Sequence, residues 1–227
     1  MLPYESLSYN LHQESLVHPA LKKPEIRQKS YLNKEGYETY LITIENHSST
    51  HVDAPAHFLK GGKTISDYQA EDMVFHHPVL VESFKKCDED LKIRDLKKIP
   101  LESLEKADIL LFKTAFHRYR KNNPEIYLKH NPGISPELIA YLRENYQSLK
   151  ALGIDSVSIS GYQKPEIAHK THMAAFITKE EYGVPLLLIE DLNLKRLTYQ
   201  SIIKRIILSP WRIKGIDSAP CDVLAEL

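Results

Sequence analysis

The sequence has few cysteines, no excess of charge of either sign and no long apolar run, and each absence excludes a class of protein. Its two cysteines, Cys87 and Cys221, form no C-x-x-C pair, which excludes a disulfide framework and a thiolate metal site and favours a reducing cytoplasm. Lys and Arg number 30, and Asp and Glu also number 30, so no net positive field would attract a nucleic acid. No apolar run approaches the roughly 20 residues of a membrane span, and the first ten residues lack the pattern of a secretion signal. We therefore expect a cytoplasmic protein that binds neither nucleic acid nor membrane.

The chain is long and apolar enough to fold around a sizeable core. It has 227 residues, of which 42% are apolar, and no repeat, low-complexity tract or Gly/Ser linker divides it. We therefore expect a single domain over residues 1–227. Runs rich in β-branched, aliphatic and aromatic residues predict six strands, several of them apolar on both faces: 40–44, 78–84, 108–114, 156–160, 185–190 and 202–208.

Two helices are predicted in the second half of the chain. One begins with Ser135 as its N-cap, carries an apolar stripe as far as Leu149 and is ended by Gly153. The other begins near Pro165 and runs through Phe176. Because strands and helices interleave there, we expect an α/β fold, a layered mixed β-sheet with flanking helices.

A cluster of metal-binding side chain types follows the first predicted strand. The segment H-S-S-T-H-V-D-A-P-A-H, residues 47–57, contains three histidines and one aspartate. We expect it to form a loop, and since 11 extended residues would span roughly 30 Å, this loop must curl for its donors to meet. His51 and Asp53, two residues apart, would share one face. Histidine nitrogen and carboxylate oxygen are ligands that suit divalent ions such as zinc. The pattern therefore favours a metal site; the alternative is that the histidines have separate structural roles.

This segment resembles the H-x-G-T-H-x-D-x-P-x-H signature of the cyclase family of metal-dependent hydrolases, which includes bacterial kynurenine formamidase and isatin hydrolase. The similarity continues in A-D-I-L-L-F-K-T (107–114), P-G-I-S-P-E-L-I-A-Y-L (132–142), G-I-D-S-V-S-I-S (153–160) and L-I-E-D-L-N-L (188–194). The resemblance implies a cyclase-like swivelling β/β/α domain, commonly a homodimer or homotetramer. It also implies one or two divalent ions per subunit, zinc or manganese, since the ligand types suit both metals.

The resemblance further assigns roles to individual residues. It implies that four side chains are metal ligands: His47, His51, Asp53 and Glu190. It implies that His57 transfers protons, and that a histidine on the helix before the last of these strands completes the site. His169 and His172 are the two candidates, and a hydrophobic pair a few residues further on favours His169.

Such a site predicts hydrolysis of a small amide or cyclic amide, as by an arylformamidase. Coordination to a metal lowers the pKa of water from 15.7 towards about 7, which provides hydroxide at neutral pH. A histidine at position 57 would then carry a proton to the departing nitrogen as general acid and base. The alternative is a non-catalytic protein that keeps the fold and binds a metal or small molecule. A metallo-β-lactamase-like site is excluded, because it needs H-x-H-x-D-H spacing.

Four positions raise separate expectations. Ser49 stands where the family usually has glycine, so a positive φ there would strain the chain. Thr50 is expected to orient the loop through its hydroxyl group. The segment T-K-E-E-Y-G-V (178–184) is extra length that could reshape the pocket wall. Asp217, in G-I-D-S-A-P, resembles the family's closing loop, but we expect an ordinary turn former there.

Overall fold

The structure is a computed structural model that describes residues 3–227, and strands predominate in it. In chain order the strands are β1 (Tyr4–Ser6), β2 (Glu25–Ser30), β3 (Thr39–Thr43), β4 (His51–Asp53), β5 (Val74–Phe75), β6 (Pro78–Glu82), β7 (Ile109–Lys113), β8 (Ala151–Ile154), β9 (Leu187–Glu190), β10 (Arg205–Pro210) and β11 (Ser218–Glu226). The helices are α1 (Leu32–Glu35), α2 (Leu101–Lys106), α3 (His117–Asn122), α4 (Pro124–Lys129), α5 (Pro136–Asn145) and α6 (Pro165–Phe176). Short 3-10 turns lie between them, among them Pro55–His57.

One mixed sheet connects the two halves of the chain. Within residues 3–227 it contains nine strands in the order β5-β10-β11-β4-β9-β8-β7-β6, with β1 added along β11. Strands β6, β7, β8 and β9 run parallel to one another. The remaining pairs of this path, β9 with β4, β4 with β11, β11 with β10 and β10 with β5, are antiparallel. Helices connect the parallel strands, which is the usual way to join them. The predicted single α/β domain with a mixed sheet and flanking helices is confirmed.

The sheet is buried on both faces in its parallel half. On β7, Ile109 and Leu111 pack into one apolar cluster, whereas Leu110 and Phe112 pack into the other. All four side chains are buried, as the continuous apolar run of this strand predicts. Strands 78–84, 108–114 and 185–190 are therefore confirmed in position, and the helix from Pro165 to Phe176 is confirmed at both ends.

Three predicted elements are placed differently by the structure. The segment 156–160 is a loop and not a strand, and the strand lies earlier, at β8. In this loop the Ser156 hydroxyl donates to the nearby Ser158 carbonyl oxygen, and the Ser158 hydroxyl donates to the Glu190 carboxylate. The helix from Ser135 ends at Asn145, before Leu149. Gly153 lies inside β8, where a Cβ would come within 2.6 Å of Leu192 Cδ1, so glycine is needed there for packing and not as a helix stop.

Four further strands differ from the prediction in position, in pairing or in having been missed. The predicted strand 40–44 forms β3, but it pairs only with β2 in a separate two-stranded sheet whose β3 side chains are all exposed. The strand predicted at 202–208 begins later, at Arg205. The pattern also missed β4 and β11. Strand β4 has three residues, and Pro220 interrupts the pattern of β11.

No helix in the described part of the chain combines the length and the apolar composition that a membrane crossing requires.

Candidate metal centre

The predicted donor cluster lies at the seam between the parallel and antiparallel halves of the sheet. Residues 51–53 form β4, which pairs with β9 on one side and with β11 on the other, so this part of the cluster is a buried strand and not the expected loop. The pairing places His51 opposite Glu190. His51 and Asp53 lie two residues apart and face the same site, as their spacing predicts.

The His51 ring is held in the orientation of a metal ligand. Its Nδ1 lies 2.8 Å from the carbonyl oxygen of Ser49, so Nδ1 carries the proton and donates it. The other nitrogen, Nε2, is buried and has no hydrogen-bond partner among residues 3–227; it lies 3.4 Å from Asp53 Oδ1 and 3.4 Å from Glu190 Oε2. Histidines that bind metals commonly donate their second ring N–H to a carbonyl in this way. Ser49 adopts a φ of 58°, which confirms the strained conformation expected of a residue in the place of glycine.

Asp53 belongs to two groups of side chains that can each surround a cation. One group is His51, Asp53 and Glu190, and the other is His47, Asp53 and His57, with ligand atoms in each group within 4.8 Å of one another. The Asp53 carboxylate is buried, and no described residue makes a conventional hydrogen bond to its Oδ1. A buried nitrogen and a buried carboxylate oxygen that both lack hydrogen bonds are costly unless a cation satisfies them. The residues present therefore fit a divalent ion.

His47 connects Asp53 to a second carboxylate. Its Nδ1 lies 3.0 Å from Asp53 Oδ1, and its Nε2 lies 3.0 Å from Asp217 Oδ2. Burial alone would lower the pKa of His47, but the hydrogen bond to Asp217 and the nearby negative charge of Asp53 outweigh it and raise this pKa to about 10. A cation held by His47 and Asp53 would take the place of the Nδ1 proton, as metal binding by histidine requires.

Asp217 is part of the site and not the ordinary turn former that we expected. Its Oδ2 lies 2.8 Å from His57 Nδ1, and its Oδ1 accepts a hydrogen bond of 2.8 Å from Asn46. Hydrogen bonds from His47 and His57 hold the pKa of this carboxyl well below its usual range. The sequence signal that could have identified Asp217 is its place directly before β11, the strand that pairs with β4.

The structure brings His172 and not His169 to the site, which corrects the sequence-based preference. His172 is buried and its Nε2 lies 3.9 Å from Glu190 Oε1, whereas His169 is exposed on the outer side of α6. His172 Nδ1 lies 2.8 Å from the Ala168 carbonyl oxygen and therefore donates to it. Burial lowers the pKa of His172, so its Nε2 keeps a free lone pair for a metal.

The loop at 156–160 holds the last carboxylate in place. Glu190 Oε1 accepts hydrogen bonds from the Ile159 amide at 2.6 Å and from the Ser158 hydroxyl at 3.0 Å. Its other oxygen, Oε2, faces His51. Burial would raise the pKa of Glu190, but the adjacent His51 ring contributes to a net lowering, so this group is a carboxylate. The segment that we predicted as a strand thus orients a predicted ligand.

A network of buried polar groups fixes the backbone around these ligands. Thr50 donates its hydroxyl to the Asp191 carbonyl oxygen at 2.6 Å and accepts the Tyr9 amide at 3.0 Å, which agrees with the orienting role expected of it. Asp191 follows Glu190 directly, and its carboxylate binds the Arg120 guanidinium through two hydrogen bonds of 3.1 and 2.8 Å. The Tyr127 hydroxyl donates to the same carboxylate. The strand ends that carry His51 and Glu190 are therefore tied together.

The ligands open into a small cavity of about 280 Å³. The Phe58 ring stacks on His172 with 4.3 Å between centroids and forms an apolar wall. Two residues from the irregular N-terminal segment, His18 and Leu21, also line this cavity. Sequence analysis did not identify either of them as a residue of the site. The cavity is near the lower end of the range for small-molecule sites.

Sequence comparison relates most of the chain to known proteins. A family model described as Putative cyclase matches residues 6–160. An uncharacterized protein of Haemophilus influenzae is 33% identical over 119 residues, which are 52% of this chain and 82% of that protein. A kynurenine formamidase of Bacillus cytotoxicus is 26% identical over 127 residues, which are 56% of this chain and 55% of the relative. The match to the kynurenine formamidases thus spans about half of their length.

Solved structures share the whole fold. Isatin hydrolase A from Ralstonia solanacearum superposes with a TM-score of 0.79 at 19% identity, covering 98% of this chain and 90% of that chain. A predicted metal-dependent hydrolase from Bacillus stearothermophilus superposes with a TM-score of 0.71 at 20% identity, covering 98% and 97%. At these identities the likeness establishes a common architecture.

Proposed function

This chain belongs to the cyclase family, and on that premise we propose that it is a metal-dependent hydrolase of a small amide or cyclic amide. One observation carries the proposal: His51 Nε2 and Asp53 Oδ1 are buried, lack hydrogen-bond partners in the described part of the chain and lie 3.4 Å apart beside Glu190. The names of its relatives support the reaction class, since they include kynurenine formamidase and isatin hydrolase.

The proposed ligands of one or two ions, zinc or manganese, are five side chains: His47, His51, Asp53, His172 and Glu190. Asp53 is common to both groups of donors, so it is the carboxylate that would be shared if two ions bind. When bound, a divalent ion supplies Lewis acidity, which activates water and polarises a carbonyl group. Three of these donors are at least 95% buried, so the charge they surround is poorly screened by solvent: His51, Asp53 and Glu190.

We propose that His57 moves the proton that an amide hydrolysis requires. Its Nδ1–H donates to Asp217 at 2.8 Å, which leaves Nε2 to accept a proton from water and return it to the departing nitrogen. The position of His57 beside His47 and Asp53 also permits ligation, and the metal content of a His57→Ala variant separates the two roles. Proton transfer predicts full metal content with little turnover.

The shape of the cavity favours a small substrate with an apolar part. Phe58, Leu21 and Ala168 provide apolar contact surface, whereas Ser158 and Ser160 provide hydroxyl groups on the opposite element. An aryl formamide or a cyclic amide combines these features in a volume suited to about 280 Å³. Phe58 is therefore the proposed contact for the apolar part of the substrate.

The experiment is a hydrolysis screen with formyl anilides, isatin and aliphatic cyclic amides, run with and without chelator. The proposal predicts turnover of at least one amide class that chelator abolishes and that added zinc or manganese restores. A metal-filled protein that hydrolyses none of these compounds would instead favour a non-catalytic binding protein. Activity that is insensitive to chelator would contradict the metal-dependent mechanism.

A further inference from the structure

A second cavity lies behind the turn that carries His57. It has a volume of about 430 Å³ and shares none of its lining residues with the cavity at the metal centre. Its apolar lining comes mainly from six residues: Pro55, Leu59, Phe176, Val184, Pro185 and Leu187. A volume of this size accommodates a small aromatic or aliphatic molecule.

One wall separates the two cavities. The chain from Pro55 to Gly62 contributes Pro55 and Leu59 to the second cavity, but His57 and Phe58 to the metal centre. Helix α6 does the same, with Phe176 on one side and His172, one helical turn earlier, on the other. A molecule in the second cavity would therefore contact the same two elements that hold the proposed proton-transfer and ligand histidines.

Tyr68 gives this cavity a polar anchor. The side chain is 7% exposed and lines the cavity, and no described residue within residues 3–227 hydrogen-bonds to its hydroxyl group. Burial raises the pKa of Tyr68, so the phenol stays protonated and can donate. A phenol hydroxyl group that makes no hydrogen bond to a described residue and belongs to a side chain lining an open cavity is available to a ligand.

The charges around the cavity favour an anion. Lys63 and Lys150 line it, and the Lys63 ammonium lies 5.1 Å from the centroid of the Tyr68 ring. Asp72 is the carboxylate among the described lining residues, and it already accepts the Gln69 amide at 2.9 Å. Two ammonium groups against one carboxylate leave a net positive charge beside the phenol.

The extra segment 178–184 completes this cavity. Thr178 and Val184 line it, and neither lines the cavity at the metal centre, so the added length shapes a different pocket wall from the one we expected. The buried Arg143 guanidinium fixes the segment by donating to the carbonyl oxygens of Ile177 at 2.7 Å and Gly183 at 2.8 Å. The wall is therefore an ordered part of the fold.

We propose that this cavity is a second ligand site, which binds a compact apolar molecule carrying one carboxylate. The apolar part contacts Leu59, Phe176 and Leu187, and the carboxylate accepts hydrogen bonds from the Tyr68 hydroxyl and the Lys63 ammonium. This inference does not depend on the proposed hydrolase activity.

The test is calorimetric titration of the full-length, chelator-treated protein with benzoate, and with benzyl alcohol as the uncharged probe. Metal is removed so that the benzoate carboxylate cannot bind to an ion at the metal centre and be counted as binding to the second cavity. We expect saturable binding of one benzoate per chain and at least tenfold weaker binding of benzyl alcohol. Tyr68→Phe and Lys63→Met should each weaken benzoate binding at least tenfold, whereas Lys60→Met, a lysine on the same loop outside the cavity, should leave it unchanged.

Val184→Trp provides an independent variant, because Val184 is 54% exposed and its replacement fills the cavity from the surface without disturbing the core. It should abolish benzoate binding while thermal unfolding stays as in the wild type. Absence of saturable binding to the wild type would overturn the proposal. Binding that persists undiminished in the Tyr68, Lys63 and Val184 variants would overturn it as well.

Discussion

Asp217 Oδ2 lies 2.8 Å from His57 Nδ1, so a carboxylate at the start of β11 orients the ring that we propose moves protons. The same oxygen lies 3.0 Å from His47 Nε2. Asp217 therefore orients both the proposed ligand His47 and the proposed acid and base His57, although 170 and 160 positions of the sequence, respectively, separate it from them.

Replacement of this carboxylate should lower turnover more than metal content. Asp217→Asn keeps the size of the side chain but removes its charge, so His57 loses the partner that fixes its Nδ1–H. We expect turnover to fall about 10- to 100-fold, the usual effect of losing such a supporting group. Steady-state kinetics with elemental analysis measures both quantities. Asp222→Asn, at an exposed position on β11, is the control, and equal rates for the two variants would contradict this role.

His172 and His169 provide a matched pair on one helix. His172→Ala should weaken metal binding at least tenfold, because it removes a buried nitrogen beside Glu190. His169→Ala should bind metal as the wild type does, because that side chain is exposed. Competition with a chelating dye measures the two affinities. The assignment is wrong if His169→Ala shows the greater loss.

The sequence predicted three of the four parallel strands, β6, β7 and β9, together with helix α6 and most of the donor set. It succeeded where apolar periodicity and residue chemistry act locally, as in the continuous apolar run of β7 or the His51 and Asp53 pair. The prediction failed where the structure of a segment depends on pairing with strands that are distant in the sequence. Strand β4 has only three residues and becomes a strand because β9 and β11 flank it.

Contacts between segments that are distant in the sequence also explain the wrong predictions for residues of the site. Asp217 resembles a turn former locally, and only the pairing of β11 with β4 brings it to His57. His169 and His172 both fit a helical pattern, and the packing of α6 against Phe58 decides which one is buried. The serines of 156–160 alternate as in a strand, but their hydroxyl groups bind Glu190 and local carbonyl groups.

Ser49 should be a source of strain that glycine relieves. Its φ of 58° is unfavourable for a residue with a Cβ, and its buried hydroxyl group has no hydrogen-bond partner. We expect Ser49→Gly to raise the free energy of unfolding by about 1 kcal/mol, which corresponds to roughly 2–4 °C in Tm for a domain of this size. Ser48→Gly, next to it and without a positive φ, should not stabilise the protein in the same calorimetric measurement. A Ser49→Gly variant with an unchanged or lower Tm would show that the conformation is not strained.

The β2–β3 hairpin should mediate assembly, and we propose a homodimer or homotetramer. An isolated two-stranded sheet is marginally stable in water, and this one exposes Tyr40, Leu41 and Ile42 at 52%, 48% and 47%. Light scattering after gel filtration should give the mass of two or four chains for the wild type. Ile42→Lys should reduce it, whereas Ile213→Lys, equally exposed at 48% elsewhere, should not. A wild-type mass of one chain would exclude this assembly.

The most direct test of the central claim is the metal content of three purified proteins by elemental analysis: wild type, His51→Ala and His57→Ala. We predict one or two zinc or manganese ions per chain in the wild type, a large loss in His51→Ala and retention in His57→Ala, since His51 Nε2 has no other partner in the core. Wild-type metal content in His51→Ala would contradict the account, because the buried His51, Asp53 and Glu190 group would then not be what holds the ion.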